Sequence, residues 1–386
     1  MSKQAVLLVG GFGKRLSSLV NDVPKPMAKI GNIPFLDYLI NNLKNNGFDN
    51  FVFLTGYKSE IISEYFKNLE KAVFIKEETP LGTGGALLNA FNYLNDEFFV
   101  INGDTFFDID FSIIDDFSVN KPCTIALNYT NNISRYGMVD IDDSFLVNSF
   151  VEKGKLSSDK IDCYINGGIY KIKKEILSSF YNSFNNNFIS LENDIFPLLV
   201  KSKSIYGLPL GGAFIDIGIP EDYISAQSYI PEKINEVKKP ALFIDKDGTI
   251  IENTGYPSDT NIKFIPETVE IIKKYYEKKY YIVMITNQAG IGKAKFTKQQ
   301  MLKGFEIIKN YYSKFNISFD DIQYCPFHVD SVLENYKYYS LLRKPNPGMI
   351  LSSCEKLKID LKNSVMIGDN KDIDKIKLPY LKSIIL

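Results

Sequence analysis

The chain of 386 residues contains no tryptophan, one histidine and only four cysteines, at positions 123, 163, 325 and 354. Cysteines so few and so scattered do not form a disulfide framework, and we interpret them as reduced thiols of a cytoplasmic protein. The 45 basic and 46 acidic residues leave a net charge of −1, which excludes a polybasic nucleic-acid-binding protein. No apolar run approaches the roughly 18 residues that cross a bilayer, and we expect neither a signal peptide nor a membrane partner.

Strand-like apolar runs alternate with stretches of helical periodicity, which predicts an α/β protein. The first alternation runs from a predicted strand at Ala5–Val9 to a predicted helix at Glu221–Ser228 and contains a β-rich segment between Thr124 and Lys173. A second alternation follows a charged, proline-bounded segment; it begins with a predicted strand at Ala241–Ile244 and includes a predicted helix at Lys298–Ser313. The sequence therefore predicts a Rossmann-like domain with a mixed sheet at residues 1–230, a linker at 231–240 and a second Rossmann-like domain at 241–386.

A glycine-rich turn follows the first predicted strand. Gly10, Gly11 and Gly13 would let backbone N–H groups approach phosphate oxygens, and Lys14 and Arg15 could neutralise a triphosphate. The spacing fits neither the P-loop nor the dinucleotide fingerprint. A tight turn after a core strand is the alternative interpretation.

Three further features follow in order. Lys25 lies between two prolines, a second glycine loop runs from Glu78 to Ala86, and Asp104 ends a buried strand. Ligands of open α/β sheets bind beyond the carboxyl ends of the strands. Asp104 is therefore a candidate metal ligand.

With these motifs, residues 1–230 resemble the sugar-1-phosphate nucleotidyltransferases. Ser190-Leu191-Glu192 is most similar to the heptose-1-phosphate guanylyltransferases among them. The resemblance implies that a sugar-1-phosphate oxygen attacks the α-phosphorus of a nucleotide and releases pyrophosphate. It implies catalytic roles for Arg15 and Lys25, and Mg²⁺ bound by Asp104 and Asp216. The implied nucleotide-binding residues are Gly10, Gly11, Gly13, Lys14, Glu78, Gly82 and Asp104, and the sugar-phosphate-binding residues are Glu152, Lys153, Asn166, Gly168 and Glu192.

Each of these assignments has a structural alternative. Glu152 and Lys153 could be a solvated pair on a strand, and Asn166 to Gly168 could form a β-bulge. Asp216 could cap a turn. Lys14 stands where the family usually has threonine.

A second constellation begins where a buried strand delivers Asp245 and Asp247 into a turn. In a strand these carboxylates would share one face, so both could reach one phosphate. Asp245 could be the nucleophile and Asp247 the general acid and base. Thr286 ends the next strand, and Asp369 ends a later one with a carboxylate suited to Mg²⁺.

This order of motifs resembles the haloacid-dehalogenase phosphatases, most closely the heptose bisphosphate phosphatases and next the histidinol-phosphate phosphatases. The resemblance implies that Asp245, the carbonyl of Asp247 and Asp369 bind Mg²⁺. It implies that Thr286 and Lys344 hold the phosphoryl group, and that Asn287, Lys293 and Arg343 contact the substrate. The sequence does not decide whether Asp372 or Asp374 supports the metal.

Relatives of this phosphatase type carry a structural zinc site before the Arg343-Lys344 pair. Here Cys325 and His328 remain, and two ligands cannot complete a four-coordinate site. We therefore expect no structural zinc, and a structural or surface role for His328.

The two resemblances fit consecutive steps, since a heptose 1,7-bisphosphate that loses its C7 phosphate becomes the substrate of the guanylyltransferase. We expect a bifunctional enzyme that makes GDP-heptose for a bacterial capsule, surface layer or lipopolysaccharide, and that acts on small molecules with Mg²⁺ in both domains. Another sugar or nucleotide, or a regulator that binds sugar nucleotides, is the alternative. The sequence leaves homo-oligomerisation open.

Overall fold

The computed structural model describes residues 2–13, 15–133, 137–151, 160–185, 187–255 and 262–386. Lys14, Glu152 and Lys153, three of the predicted site residues, lie outside these ranges.

The first part of the chain folds around a mixed sheet. Its strands are β1 (Lys3–Leu8), β2 (Lys29–Ile30), β3 (Ile33–Pro34), β4 (Phe48–Thr55), β5 (Ala72–Lys76), β6 (Glu97–Asn102), β7 (Thr105–Phe107), β8 (Cys123–Thr130), β9 (Met138–Ile141), β10 (Val147–Val151), β11 (Cys163–Lys173), β12 (Ile205–Pro209) and β13 (Phe214–Asp216). Its helices are α1 (Phe35–Asn45), α2 (Ser59–Tyr65), α3 (Gly82–Asn89), α4 (Phe111–Phe117), α5 (Ser178–Asn182), α6 (Phe196–Lys201) and α7 (Pro220–Asn235).

In the main sheet β1 lies between β4 and β6 and is parallel to both, whereas β2 pairs with β3 and β7 pairs with β13 outside that sheet. The β-rich segment joins through β11, which pairs antiparallel with β6, β8 and β9. Parallel strands of this kind are buried on both faces and therefore have continuous apolar sequences. For this reason they could be predicted from the sequence. The predicted mixed α/β architecture is confirmed.

The second part has a parallel sheet in the order β16-β15-β14-β17-β18. Its strands are β14 (Ala241–Ile244), β15 (Tyr281–Asn287), β16 (Asp321–Cys325), β17 (Val365–Gly368) and β18 (Lys382–Ile385). Its helices are α8 (Glu267–Glu277), α9 (Lys298–Ser313), α10 (Gly348–Lys356) and α11 (Lys371–Asp374).

Periodic burial and end capping explain the longer helices. In α1 the residues Phe35, Leu39 and Leu43 are buried at helical spacing. In α9 the hydroxyl of Thr297 accepts from the N–H of Gln300, whose side chain accepts from the N–H of Thr297, a capping box. Within the described ranges, none of the helices combines the length and the apolar character that crossing a bilayer requires.

The segment predicted as a linker is partly helical. Helix α7 continues through Pro231 to Asn235, because Ala226, Ile230 and Lys233 are buried at helical spacing. The Nζ atom of Lys233 donates to the carbonyl oxygen of Lys356 at 3.1 Å. A proline bounding a charged segment therefore does not end this helix, since packing outweighs the lost backbone hydrogen bond.

The two parts of the chain share buried surface. One apolar cluster includes Tyr129 and Tyr164 from the first part and Leu341 and Cys354 from the second. The hydroxyl of Tyr380 donates to the carbonyl oxygen of Pro209 at 2.6 Å. The parts are therefore packed against each other.

Candidate active sites

The first candidate site lies where β1 and β6 end. Beyond β1 the chain turns through Gly10, Gly11 and Gly13, and Gly13 has a φ of +61°. A Cβ atom at Gly103, just after β6, would lie 2.6 Å from Cγ1 of Val9, so only glycine fits there. The two strand ends thus approach closely enough to form one pocket.

Four charged side chains meet at this edge. The Nζ atom of Lys25 lies 2.5 Å from Oδ2 of Asp104 and 3.9 Å from Oδ1 of Asp216. A Cβ atom built on Gly218 would lie 3.4 Å from Nη2 of Arg15 and 2.9 Å from the Lys25 ammonium. The structure thus brings together the predicted residues Arg15, Lys25, Asp104 and Asp216.

The two carboxylates of this group influence each other. Burial and the neighbouring charge of Asp104 raise the pKa of Asp216, whereas Lys25 and Arg15 oppose the shift. Two carboxylates within 4 Å of the same lysine ammonium form an all-oxygen donor set that suits a hard divalent cation. The side chains present therefore fit Mg²⁺. Asp216 also accepts from the N–H of Gly218 at 2.7 Å, so it shapes a turn as well.

A cavity of about 340 Å³ adjoins these charges and is lined by the two glycine loops. Gly10, Gly11 and Gly82 lie in its wall, together with the aromatic ring of Phe188. Gly82 has a φ of +73°, and a Cβ atom there would lie 2.5 Å from the carbonyl oxygen of Ile189.

Glu77 lines this cavity, whereas Glu78, the residue predicted from the sequence, is exposed. Burial raises the pKa of Glu77, and its Oε2 atom accepts from the N–H of Leu81 at 2.9 Å. A Cβ atom on Gly10 would lie 2.8 Å from its Oε1 atom. The two glutamates directly follow β5, and the sequence alone could not tell which of them faces the cavity.

Glu192 joins the second glycine loop to the same cavity. Its Oε2 atom accepts from the hydroxyl of Thr83 at 2.9 Å and from that of Ser190 at 3.0 Å. The Thr83 hydroxyl in turn accepts from the N–H of Leu191 at 2.8 Å. Glu192, predicted as a sugar-phosphate residue, is therefore fixed in place beside the second glycine loop.

Asn166 and Gly168 lie in a β-bulge, the structural alternative to a binding role. The register of β11 shifts between Asn166 and Tyr170, and Gly168 has a φ of +71°. The Asn166 side chain accepts from the N–H of Gly168 at 2.9 Å and donates to the Tyr170 hydroxyl at 2.8 Å. A Cβ atom on Gly168 would lie 3.0 Å from Nδ2 of Asn102, which lines the cavity.

The second candidate site lies at the carboxyl ends of β14, β15 and β17. The Nζ atom of Lys344 contacts a carboxylate oxygen of Asp245 and lies 2.6 Å from Oδ1 of Asp374. Burial raises the pKa of Asp245 to about 6, an effect that the Lys344 charge opposes. Burial opposes the charged form of Lys344, but the two carboxylates raise its pKa. The site is thus a buried cluster of one cation and two acids.

Asp247 is held by a separate set of side chains. Its Oδ2 atom accepts from the amide of Gln288 at 3.0 Å and from the hydroxyl of Thr286 at 3.4 Å. The Nζ atom of Lys246 lies 2.5 Å from its Oδ1 atom. Gln288 and Lys246 were not predicted as site residues, although Lys246 lies between Asp245 and Asp247 and Gln288 lies two residues after Thr286. Their burial was the missing information, since Gln288 and Lys246 are each 3% exposed.

A candidate metal centre adjoins the Lys344 cluster. Carboxylate oxygens of Asp245, Asp369 and Asp374 lie within 4.8 Å of one another. Asp374 is buried, whereas Asp372 is exposed and its N–H donates to the Asn370 side chain. The structure therefore places Asp374, and not Asp372, in the centre. Three carboxylates form a donor set that suits Mg²⁺.

Three of the remaining predicted residues line a cavity of about 220 Å³. Lys293 and Arg343 line it beside Asp245. Asn287 also lines it, but its amide bonds the backbone of Lys344 at both ends, accepting from the N–H at 3.0 Å and donating to the carbonyl at 3.2 Å. Thr286 is fully buried and bonds Asp247. Asn287 therefore holds the backbone of Lys344 in place, and Thr286 holds the side chain of Asp247.

The segment before Arg343 contains Cys325 and His328. Burial raises the pKa of the Cys325 thiol to about 12. The Nδ1 atom of His328 accepts from the N–H of Asp330 at 3.0 Å, a local turn. All four cysteines are free and buried.

Comparisons with known families divide the chain in the same order as its two sites. Residues 4–233 match the family profile described as Nucleotidyl transferase, which covers more than half of the chain. Residues 239–377 match the profile described as Polynucleotide kinase 3 phosphatase. The predicted pairing of a nucleotidyltransferase with a phosphatase-family domain is confirmed.

The similar proteins named here all match the first part of the chain. D-glycero-alpha-D-manno-heptose 1-phosphate guanylyltransferase of Campylobacter jejuni is 40% identical over 223 residues, which are 57% of this chain and 96% of that protein. The protein of the same name from Aneurinibacillus thermoaerophilus is 40% identical over 237 residues, 60% of this chain and all of that protein. The crystal structure of HddC from Yersinia pseudotuberculosis complexed with GMP-PN is 36% identical, with a TM-score of 0.51, and covers 58% of this chain and 98% of that one.

Proposed function

The chain belongs to the nucleotidyl transferase family and carries a phosphatase-family domain beside it, and on this premise we propose a bifunctional enzyme of GDP-heptose synthesis. Residues 241–386 would remove the C7 phosphate of D-glycero-D-manno-heptose 1,7-bisphosphate. Residues 1–230 would transfer GMP from GTP to the resulting heptose 1-phosphate and release pyrophosphate. The names of the two relatives that are 40% identical support the guanylyl transfer.

The observation that carries the first activity is the meeting of Arg15, Lys25, Asp104 and Asp216 beside a glycine-lined cavity. Attack of a sugar-phosphate oxygen on the α-phosphorus needs alignment and neutralised charge, and no covalent intermediate with the protein. Arg15 and Lys25 would hold the triphosphate and stabilise the charge that develops on the α-phosphate. On the basis of their motifs, Lys14 is proposed to bind the nucleotide, and Glu152 and Lys153 are proposed to bind the sugar phosphate.

Glu77 supports guanine as the base. Guanine presents N–H donors at N1 and at its exocyclic amine, and a carboxylate has acceptor oxygens for both. Glu77 is a carboxylate in the wall of the cavity that the two glycine loops form. A pyrimidine such as uracil offers one such donor, so this wall favours GTP over UTP.

In the second site Asp245 would attack the phosphorus of the C7 phosphate and form an aspartyl-phosphate, while Asp247 gives a proton to the departing C7 oxygen. Asp247 would then take a proton from the water that attacks the aspartyl-phosphate and releases inorganic phosphate. Lys344 would neutralise phosphoryl oxygens, and Lys293 and Arg343 would bind the substrate at the cavity wall.

Mg²⁺ would be bound by Asp104 and Asp216 in the first site and by Asp245, the carbonyl of Asp247 and Asp369 in the second, where Asp374 supports the set. When bound, it would neutralise phosphate oxygens at both sites. The donor chemistry of both sites supports this proposal.

The test is product analysis of the full chain given heptose 1,7-bisphosphate and each of the four nucleoside triphosphates in turn. We expect phosphate release that Asp245→Asn abolishes, and pyrophosphate release with GTP that Asp104→Asn abolishes. Asp104→Asn should still release phosphate from the bisphosphate, and Asp245→Asn should still release pyrophosphate when it is given heptose 1-phosphate and GTP, so each variant is the control of the other. Turnover of the bisphosphate by Asp245→Asn, or a preference for another nucleotide, would contradict the corresponding half of the proposal.

A further inference from the structure

A buried carboxylate of the first part of the chain contacts the loop that carries the phosphatase cations. Asp162 lies directly before β11 and is 1% exposed. One of its oxygens accepts from the N–H of Leu341 at 2.7 Å, and the other accepts from the hydroxyl of Ser340 at 2.5 Å. The hydroxyl of Tyr129 lies 3.4 Å from the oxygen that Ser340 contacts. Two of the hydrogen bonds to this carboxylate thus come from the second part of the chain.

The contacted segment leads directly into the phosphatase site. The Ser340 hydroxyl also accepts from the N–H of Leu342 at 3.1 Å, and the Ser340 carbonyl accepts from the N–H of Arg343 at 3.2 Å. The carbonyl of Leu341 accepts from the N–H of Gly348, where α10 begins. Residues 340–343 therefore form a turn that is held by hydrogen bonds to Ser340. Lys344 is the first residue after this turn.

The position of Lys344 matters because its surroundings are tight. Lys344 is 3% exposed, and its ammonium group lies between the carboxylates of Asp245 and Asp374. In a close-packed interior a displaced backbone moves its side chain with it. A misplacement of about 1 Å in a positioned group can lower a rate by about a hundredfold.

Burial gives the Asp162 contact more weight than an exposed contact across the same boundary. The Lys362 ammonium lies 2.8 Å from Oδ2 of Asp116, but these side chains are 42% and 70% exposed. Exposed pairs of this kind stabilise little. Burial raises the pKa of Asp162, and the hydrogen bonds from Ser340 and Leu341 oppose that shift. A carboxylate in this environment needs its donors in place.

We propose that Asp162 is a positioning residue for the phosphatase site: through Ser340 and Leu341 it fixes the turn that sets Lys344 between Asp245 and Asp374. The proposal rests on the proposed phosphatase function. It makes the phosphatase dependent on the nucleotidyltransferase part of the same chain. Asp162 itself does not touch the substrate.

The test compares Asp162→Asn and Ser340→Ala with the matched control Asp116→Asn in the full-length protein. Phosphate release from heptose 1,7-bisphosphate and from para-nitrophenyl phosphate, pyrophosphate release with GTP and heptose 1-phosphate, and the melting temperature are measured for each. We expect the phosphatase kcat to fall about tenfold to a hundredfold in the first two variants. Guanylyl transfer should change by less than about twofold, as should both activities of Asp116→Asn.

A merely structural contact would give a different pattern, in which both activities and the melting temperature fall together. The double variant Asp162→Asn/Ser340→Ala should lose little more phosphatase activity than the worse single variant, because both changes disrupt the same hydrogen bond between Asp162 and Ser340. Parallel loss of both activities, additive losses, or an unchanged kcat in both single variants would overturn the proposal.

Hydrogen–deuterium exchange of the Leu341 amide gives a second measurement that needs no turnover. We expect faster exchange at residues 340–344 in Asp162→Asn than in Asp116→Asn, and unchanged exchange would overturn the proposal. If the wild-type protein released phosphate from neither substrate, the proposed function would fail, and the exchange rates would still decide whether Asp162 holds the turn. If Asp162→Asn did not fold, Ser340→Ala would supply both measurements.

Discussion

The two candidate sites lie at different depths in the protein. In the first, the side chain of Lys25 is 10% exposed and its partners Asp104 and Asp216 are 34% and 31% exposed. In the second, the corresponding figures for Lys344, Asp245 and Asp374 are 1%, 8% and 1%. Charges that keep contact with water cost little when a partner is lost, whereas buried charges depend on each other. Function and stability should therefore be separable in the first site and linked in the second.

The largest effect should come from removing each site's lysine. Lys344→Met should abolish phosphate release and lower the free energy of unfolding by about 3–5 kcal/mol, because Asp245 and Asp374 stay buried without their cation. Lys25→Met should abolish guanylyl transfer and lower the free energy of unfolding by about 1 kcal/mol or less. Urea unfolding of both variants measures the difference. An equal loss of unfolding free energy in the two variants would contradict the proposed difference between the buried and the more exposed site.

A smaller effect should separate the two acids that follow Asp369. Asp374→Asn should lower the phosphatase kcat/KM by about a hundredfold and raise the Mg²⁺ concentration needed for half-maximal rate, because Asp374 supports the metal ligands. Asp372→Asn is the control, since that side chain is exposed, and it should change the rate by less than about twofold. Initial rates at a series of Mg²⁺ concentrations test both. Similar losses in the two variants would contradict the assignment.

The buried support of Asp247 should matter most in the step where the leaving group needs a proton. In a single turnover, Gln288→Met should slow the departure of the sugar alcohol from the heptose bisphosphate by about tenfold to a hundredfold, because the general acid loses the amide that orients it. Para-nitrophenolate departs without a proton, so its release in a single turnover should slow much less, whereas the later attack of water uses Asp247 with either substrate. The measurement is the ratio of the two single-turnover rates. Equal losses with both substrates would indicate a general loss of structure.

The smallest effect should appear in the more open first site. Glu77→Gln should lower kcat/KM for GTP by about tenfold, because a neutral amide supplies one acceptor where the carboxylate has two oxygens. Glu78→Gln is the matched control on the neighbouring exposed residue and should leave the rate unchanged. Pyrophosphate release with varied GTP tests both. A larger loss in Glu78→Gln would reverse the assignment of the two glutamates.

Local patterns in the sequence predicted much of the fold. The strand Ala241–Ile244 and the helix Lys298–Ser313 have the predicted bounds, because an apolar run and a capping box define them locally. Helix α7 was predicted too short, since the signal of Pro231 is local while the burial of Ile230 and Lys233 depends on distant packing. Strand β16 was not predicted, because its residues are mostly only half-buried.

In the candidate sites, too, local motifs could be predicted from the sequence, whereas contacts that depend on distant packing could not. Motifs pointed to Lys25, Asp104 and Asp245, which the structure brings to strand ends. The choice of Glu77 over Glu78 and of Asp374 over Asp372 depends on which side chain faces inward. Nothing near Asp162 in the sequence indicates a bond to Ser340, because that contact joins residues far apart in the chain.

The apolar cluster that joins Tyr129 and Tyr164 to Leu341 and Cys354 has a consequence for the cell. A substitution that loosens this shared interior exposes both halves to proteases at once. Synthesis and degradation should then change the amounts of both domains together. The ratio of the two domains would stay the same at any expression level.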